Sequence, residues 1–85
     1  MTRIDEPIAL LEKRYNYQPR AFLWRGRRHA IYAIEARWAA PRFFWRPIER
    51  TYWRVRCQDG ALYDIYQDGV ANTWHLAAIR PAASH

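Results

Sequence analysis

Eighty-five residues fit one domain and no more, and a chain this short buries only roughly 60–65% of the surface its unfolded form exposes. Half of the residues are hydrophobic and 14 are Trp, Tyr or Phe, which excludes disorder as a whole-chain state because each aromatic buries about 150–250 Å². The net charge of +6 comes from 14 basic residues, 13 of them Arg, and Arg favours bidentate phosphate contacts and stacking on aromatic faces.

From the N-terminus, Met1-Thr2-Arg3 has no apolar partners and is expected to fray, as is the tail from Pro81 to His85. A single β domain is expected over residues 5–80, with residues 1–4 and 81–85 as tails. The stretch from Asp5 to Tyr17 reads two ways. Asp5 can cap a helix carrying Ile8, Leu11 and Tyr15 on one stripe, or Ile8 and Leu10 can alternate as in a strand. From residue 19 onward the period-2 signal dominates. Ala21–Trp24 is a short strand with Phe22 and Trp24 on one face, and Arg25-Gly26-Arg27 is a hairpin turn in which Gly26 supplies a positive φ.

Arg28–Trp38 reads as a longer strand whose apolar phase shifts midway; a helix over Ala30–Arg37 is the alternative, since Ala and Glu are good helix formers, and the preceding hairpin turn favours the strand. His29 and Ile31 share one parity, and Ile34, Ala36 and Trp38 the other. A bulge near Tyr32-Ala33 would bring both sets to the core. Residues 39–50 are irregular, interrupted by Pro41 and Pro47. Thr51–Cys57 is the clearest strand, with Trp53, Val55 and Cys57 inward and Tyr52, Arg54 and Arg56 outward. Gln58-Asp59-Gly60 is a turn, Ala61–Tyr66 a strand with Tyr63 and Ile65 inward, and Thr73–Ile79 the last strand with Trp74 and Leu76 inward. Trp24, Trp53 and Trp74 are the expected core tryptophans. The fold class that follows is all-β: an antiparallel meander curled into a five- to six-stranded barrel-like sheet.

Catalysis lacks its parts. Cys57 shares the apolar face of its strand and reads as a core thiol, the His residues are isolated, and Asp59 and Asp68 sit beside Gly as turn formers. One Cys and two separated His do not make a zinc set, and no Gly-rich phosphate loop is present. The expectation is a non-enzyme with no cofactor, no metal and no small-molecule substrate. A lone cysteine suits a reducing cytoplasm. Met1-Thr2-Arg3-Ile4-Asp5-Glu6 lacks a leader pattern, and no apolar run approaches the ~18–20 residues that span a bilayer, so no membrane partner is expected.

The charge is unevenly placed. Residues 19–56 carry ten Arg against Glu35 and Glu49, a local +8, while the segments before and after are neutral and weakly acidic. Aromatics interleave with it in Trp24-Arg25-Gly26-Arg27-Arg28, in Arg42-Phe43-Phe44-Trp45-Arg46 and in Tyr52-x-Arg54-x-Arg56. Small barrels bind nucleic acid by pairing a basic groove with stacking platforms. Arg25, Arg27, Arg28, Tyr52, Arg54 and Arg56 are therefore the candidate DNA- or RNA-binding set. Pairing of these Arg with Glu35, Glu49, Asp64 or Asp68 would weigh against it. The alternative is a protein-docking module, because Phe43, Phe44 and Trp45, flanked by Arg and Pro, have hot-spot chemistry.

The run Phe22-x-Trp24-Arg25-Gly26-Arg27-Arg28, then Ile31 and Trp38, Tyr52-Trp53-Arg54-Val55, Gly60-x-x-Tyr63-x-Ile65-Tyr66 and Trp74-x-Leu76 resembles a small bacterial family of unknown function. Some members of that family occur as a C-terminal extension of, or beside, Y-family DNA polymerase-like mutagenesis proteins. The resemblance spans roughly residues 6–79. It implies no catalytic residues, matches Pro7-Ile8 to the start of a strand, and implies a polymerase or repair protein as partner. His29 stands where the family has Tyr, and the Phe43-Phe44-Trp45 loop is longer and more aromatic than the family's.

Overall fold

Short alternating segments joined by tight turns leave each strand with one apolar face to bury, and closing the sheet on itself buries them all without leaving an edge. In a computed structural model of the chain, which describes residues 2–13, 18–39 and 50–81, this is what happens. The strands are β1 (Thr2–Lys13), β2 (Pro19–Trp24), β3 (Arg27–Ala39), β4 (Arg50–Cys57), β5 (Leu62–Asp68) and β6 (Thr73–Arg80). They run antiparallel in sequence order, and β6 returns to β1 to close the barrel. The all-β meander expected from the sequence is the observed fold, with six strands. Among the described residues no helix is long and apolar enough to cross a membrane.

The N-terminal segment is a strand. Its first half pairs with β6, from Thr2 opposite Ile79 to Ile8 opposite Trp74, and its second half pairs with β2, from Ala9 opposite Leu23. Thr2 and Arg3 belong to this strand, opposite Ile79 and Ala78 of β6. A register shift between Arg3 and Glu6, with Asp5 at φ 59°, marks a bulge within the half of β1 that pairs with β6.

Both centres of the β2–β3 turn have positive φ, 51° at Arg25 and 74° at Gly26. This is the mirror-image turn whose twist matches the flanking strands. Gly60 also takes a positive φ, 83°. At the β4–β5 turn the Asp59 carboxylate accepts from the Ala61 amide at 3.0 Å. At the β5–β6 turn the Asp68 carboxylate accepts from Val70 and Ala71, so both aspartates shape turns as their placement beside Gly suggests.

The core is Phe22, Ile31, Trp53, Val55, Cys57, Tyr63, Ile65, Trp74 and Leu76, with Trp24 half-buried against it. Trp53 and Trp74 pack ring to ring at 5.0 Å. The β3 phase shift is a bulge between Ile31 and Ala33, as the apolar pattern implies, but a second one follows between Ile34 and Ala36. Each slip by one residue flips every later side chain. Ile31 and Ile34 stay with the core, while Arg37 comes over the Trp53 ring at 5.7 Å and Trp38 turns outward, 37% exposed. The expectation that Trp38 is inward is corrected by that second bulge.

Trp53→Ala should cost about 3–5 kcal/mol, a large part of the roughly 5–15 kcal/mol that holds a native domain; chemical denaturation of the variant checks this. Cys57 is 1% exposed, and burial, helped by the nearby Asp59 charge, pushes its thiol up to about 12. A raised value keeps the thiol protonated through neutral and mildly alkaline pH. Alkylation of the native protein at pH 8 should therefore be slow, and should reach the rate of a free thiol only in denaturant.

Candidate nucleic-acid interface at one end of the barrel

The hairpin turn and the β4–β5 turn lie at the same end of the barrel and enclose a cavity of about 480 Å³. The hairpin contributes Trp24, Arg25, Arg27 and Arg28; the opposite wall contributes Gln58 and Asp59; His29, Cys57 and Tyr63 also line it. Three of the six sequence-derived binding residues thus share one cavity with an aromatic wall.

Arg25 is held in place. Its Nε and Nη2 donate to the Glu6 carboxylate at 3.0 and 2.5 Å, and its guanidinium lies over the Trp24 ring at 4.7 Å. The Trp24 indole N–H donates to the same carboxylate at 3.3 Å. This hydrogen bonding to Arg25 keeps the Glu6 carboxyl below its ordinary range. Arg27 is exposed and forms no ion pair among the described residues.

His29 stacks on Phe22 at 5.0 Å and packs against Tyr63 at 5.0 Å. Burial first, and then Arg27, pull its pKa down against the opposing pull of Asp59, so the ring is neutral at pH 7. Its Nε2 is buried without a hydrogen-bond partner among the described residues. Across the cavity the Tyr63 hydroxyl donates to Asp59 Oδ2 at 2.5 Å. Burial raises the Asp59 pKa, but the bonds from Tyr63 and the Ala61 amide outweigh it and hold the carboxyl below its ordinary value. Asp59 is therefore ionised at neutral pH.

Tyr52, Arg54 and Arg56 lie elsewhere, on the outer face of β4, as their alternation with Trp53 and Val55 requires. Their charge is largely answered within the fold. Arg54 grips the buried Asp64 through two bonds of 2.8 and 3.0 Å, and Arg56 pairs with Glu35 at 2.9 Å and donates to the Gly60 carbonyl. Tyr52 stacks parallel to Trp38 at 5.3 Å and meets Tyr66 at 5.1 Å, which in turn stacks on His75 at 4.9 Å. These four are directly opposite one another on successive strands. Arg54 and Arg50 lie over the Trp38 and Tyr66 rings, and the Tyr66 hydroxyl donates to Asp5 at 2.7 Å. The outer face thus carries its own aromatic–arginine ladder, whose members Tyr66, His75 and Arg50 the alternation pattern does not single out and whose Trp38 it places inward. Only the inter-strand register identifies them.

The predicted set therefore divides in two: Arg25, Arg27 and Arg28 at the barrel end, and Tyr52, Arg54 and Arg56 on the ladder face. Phe43, Phe44 and Trp45 lie outside the described residues. Among the described residues no group of three His, Cys, Asp or Glu side chains is placed to hold a metal ion.

No curated protein and no solved structure matches the chain. A family model does, over residues 1–80, which takes in all six strands. The chain belongs to the family described as a domain of unknown function, DUF6504.

Proposed function

We propose that this barrel is a non-catalytic, accessory nucleic-acid-binding module that engages single strands at the hairpin end. The observation that carries this reading is the convergence of Arg25, Arg27 and Arg28 with Trp24 and His29 around one cavity of about 480 Å³. Arg at that density supplies phosphate contacts, and the neighbouring rings supply the stacking surface that single-strand binders use. Arg54 and Arg56 pair with Asp64 and Glu35, which weighs against the β4 face as the contact surface, whereas the exposed Arg27 forms no ion pair among the described residues.

The test is a titration of labelled oligothymidine against the full chain at low and rising salt. Arg27→Gln with Arg28→Gln should weaken binding and flatten the log–log salt slope by roughly 0.7 for each phosphate no longer neutralised. Arg54→Gln with Arg56→Gln should instead lower the melting temperature, because Asp64 is left buried without its partner, and should change the salt slope little. Absence of saturable binding at low salt would overturn the reading.

A further inference from the structure

Two of the groups that a single strand needs at the barrel end, a guanidinium for its phosphate and a ring face for its base, meet on one carboxylate. Glu6 of β1 accepts from Arg25 Nε at 3.0 Å and from Arg25 Nη2 at 2.5 Å. A parallel pair of N–H donors is also what arginine uses to grip a phosphate. Glu6 Oε1 accepts the Trp24 indole N–H as well, at 3.3 Å. Held in this way, the Arg25 guanidinium lies 4.7 Å from the centroid of the Trp24 ring and covers a face on which a base would stack. Trp24 and Arg25 both line the cavity, so the contact stands at the site itself. Arg25 is a centre of the β2–β3 turn at φ 51°, where Asn, Asp or Gly is the ordinary choice; turn geometry does not account for an arginine there.

The contact is of a kind that a phosphate can replace. The Arg25 and Glu6 side chains are 63% and 35% exposed. Solvent screens such a pair and ordering two long side chains costs entropy, so it adds little to stability. Arg54 and Asp64 differ: that carboxylate is 9% exposed, and a buried charge deprived of its partner is strongly destabilising. A phosphodiester offers a fork two oxygens and one negative charge, as a carboxylate does, so it can take the place of Glu6 on Arg25 without leaving a buried charge. As the guanidinium turns to the phosphate, the Trp24 ring is uncovered. The exposed Arg27 forms no ion pair among the described residues and can meet a phosphate with no such exchange.

We infer that Glu6 is a built-in competitor for the strand's phosphate: it occupies the Arg25 fork and holds that guanidinium over Trp24, so a single strand gains both groups only by displacing it; this rests on the nucleic-acid reading above.

The probe is labelled oligothymidine, titrated at low and rising salt against the full chain and against Glu6→Gln, Arg25→Gln and the double variant. Glu6→Gln keeps an acceptor for the Trp24 N–H but gives up the charge. It should tighten binding about tenfold, the order expected of one unopposed charge-assisted contact, and steepen the log–log salt slope by roughly 0.7, for one more phosphate neutralised. Arg25→Gln alone should change affinity by no more than about twofold, because Glu6 already answers that charge. In the double variant the gain from Glu6→Gln should vanish, since the two residues act through one contact. Unchanged or weaker binding by a folded Glu6→Gln overturns the inference. So does a gain that survives in the double variant, because net charge and not the fork would then be responsible. If Glu6→Gln does not fold, the wild-type chain decides: the Arg25 Nε–H and Trp24 indole N–H resonances, both on Glu6 in the free chain, should shift at saturation with oligothymidine, and unmoved resonances overturn it. Binding that ignores Glu6→Gln defeats the competitor alone, whereas no saturable binding by the wild-type chain defeats the nucleic-acid reading with it.

Discussion

The structure depends on β1 serving two neighbours. Without β1, the sheet of β2–β6 would expose an edge on β2 and another on β6. β1 hydrogen-bonds to both, so the barrel closes and neither edge is offered to another chain. Two side-chain contacts come from residues at its bulge. The Asp5 carboxylate reaches the Tyr66 hydroxyl, and the Glu6 carboxylate reaches Trp24 and Arg25. Neighbouring residues of one strand thus fasten the outer ladder and the hairpin end, in a chain too small to rely on core volume alone.

The arginines divide by what surrounds them. On the outer face of β4–β6 they act within the fold. Arg54 compensates the buried Asp64, Arg50 covers Tyr66, and Arg56 joins Glu35 to the β4–β5 turn. Their planar heads suit this work, since a guanidinium can donate in its plane and lie on a ring with its face. At the hairpin end Glu6 pairs with Arg25 and Asp59 lines the cavity. The same residue type is therefore paired across strands on one surface and lines a cavity on the other. A net charge of +6 does not distinguish the two.

Much of the fold was legible in the sequence. The strict alternation of Thr51–Cys57 places Trp53, Val55 and Cys57 in the core, and Arg25-Gly26 and Asp59-Gly60 mark turns whose dihedrals need glycine. These signals are local, with a backbone period of 2 and a steric requirement at one φ, so they survive without knowledge of neighbours. The candidate site was partly legible. The density of Arg25, Arg27 and Arg28 beside Trp24 is visible along the chain, but the position of Asp59 beside Gly60 shows only a turn former, and the alternation of β4 joins Tyr52 to arginines rather than to Trp38 and Tyr66.

The sequence by itself determined an all-β chain, its turns, most of its core and the concentration of arginine in its middle, because each depends on neighbours a few residues apart. Tertiary structure alone decided the outward turn of Trp38, which hangs on a second bulge, and the strand character of β1, which hangs on partners more than 60 residues away. It also decided which arginines are spent on Asp64 and Glu35, and that Asp59 faces the hairpin across a cavity. Each of these is set by register and closure, which bring together residues from distant parts of the chain, and no pattern along one strand carries that information.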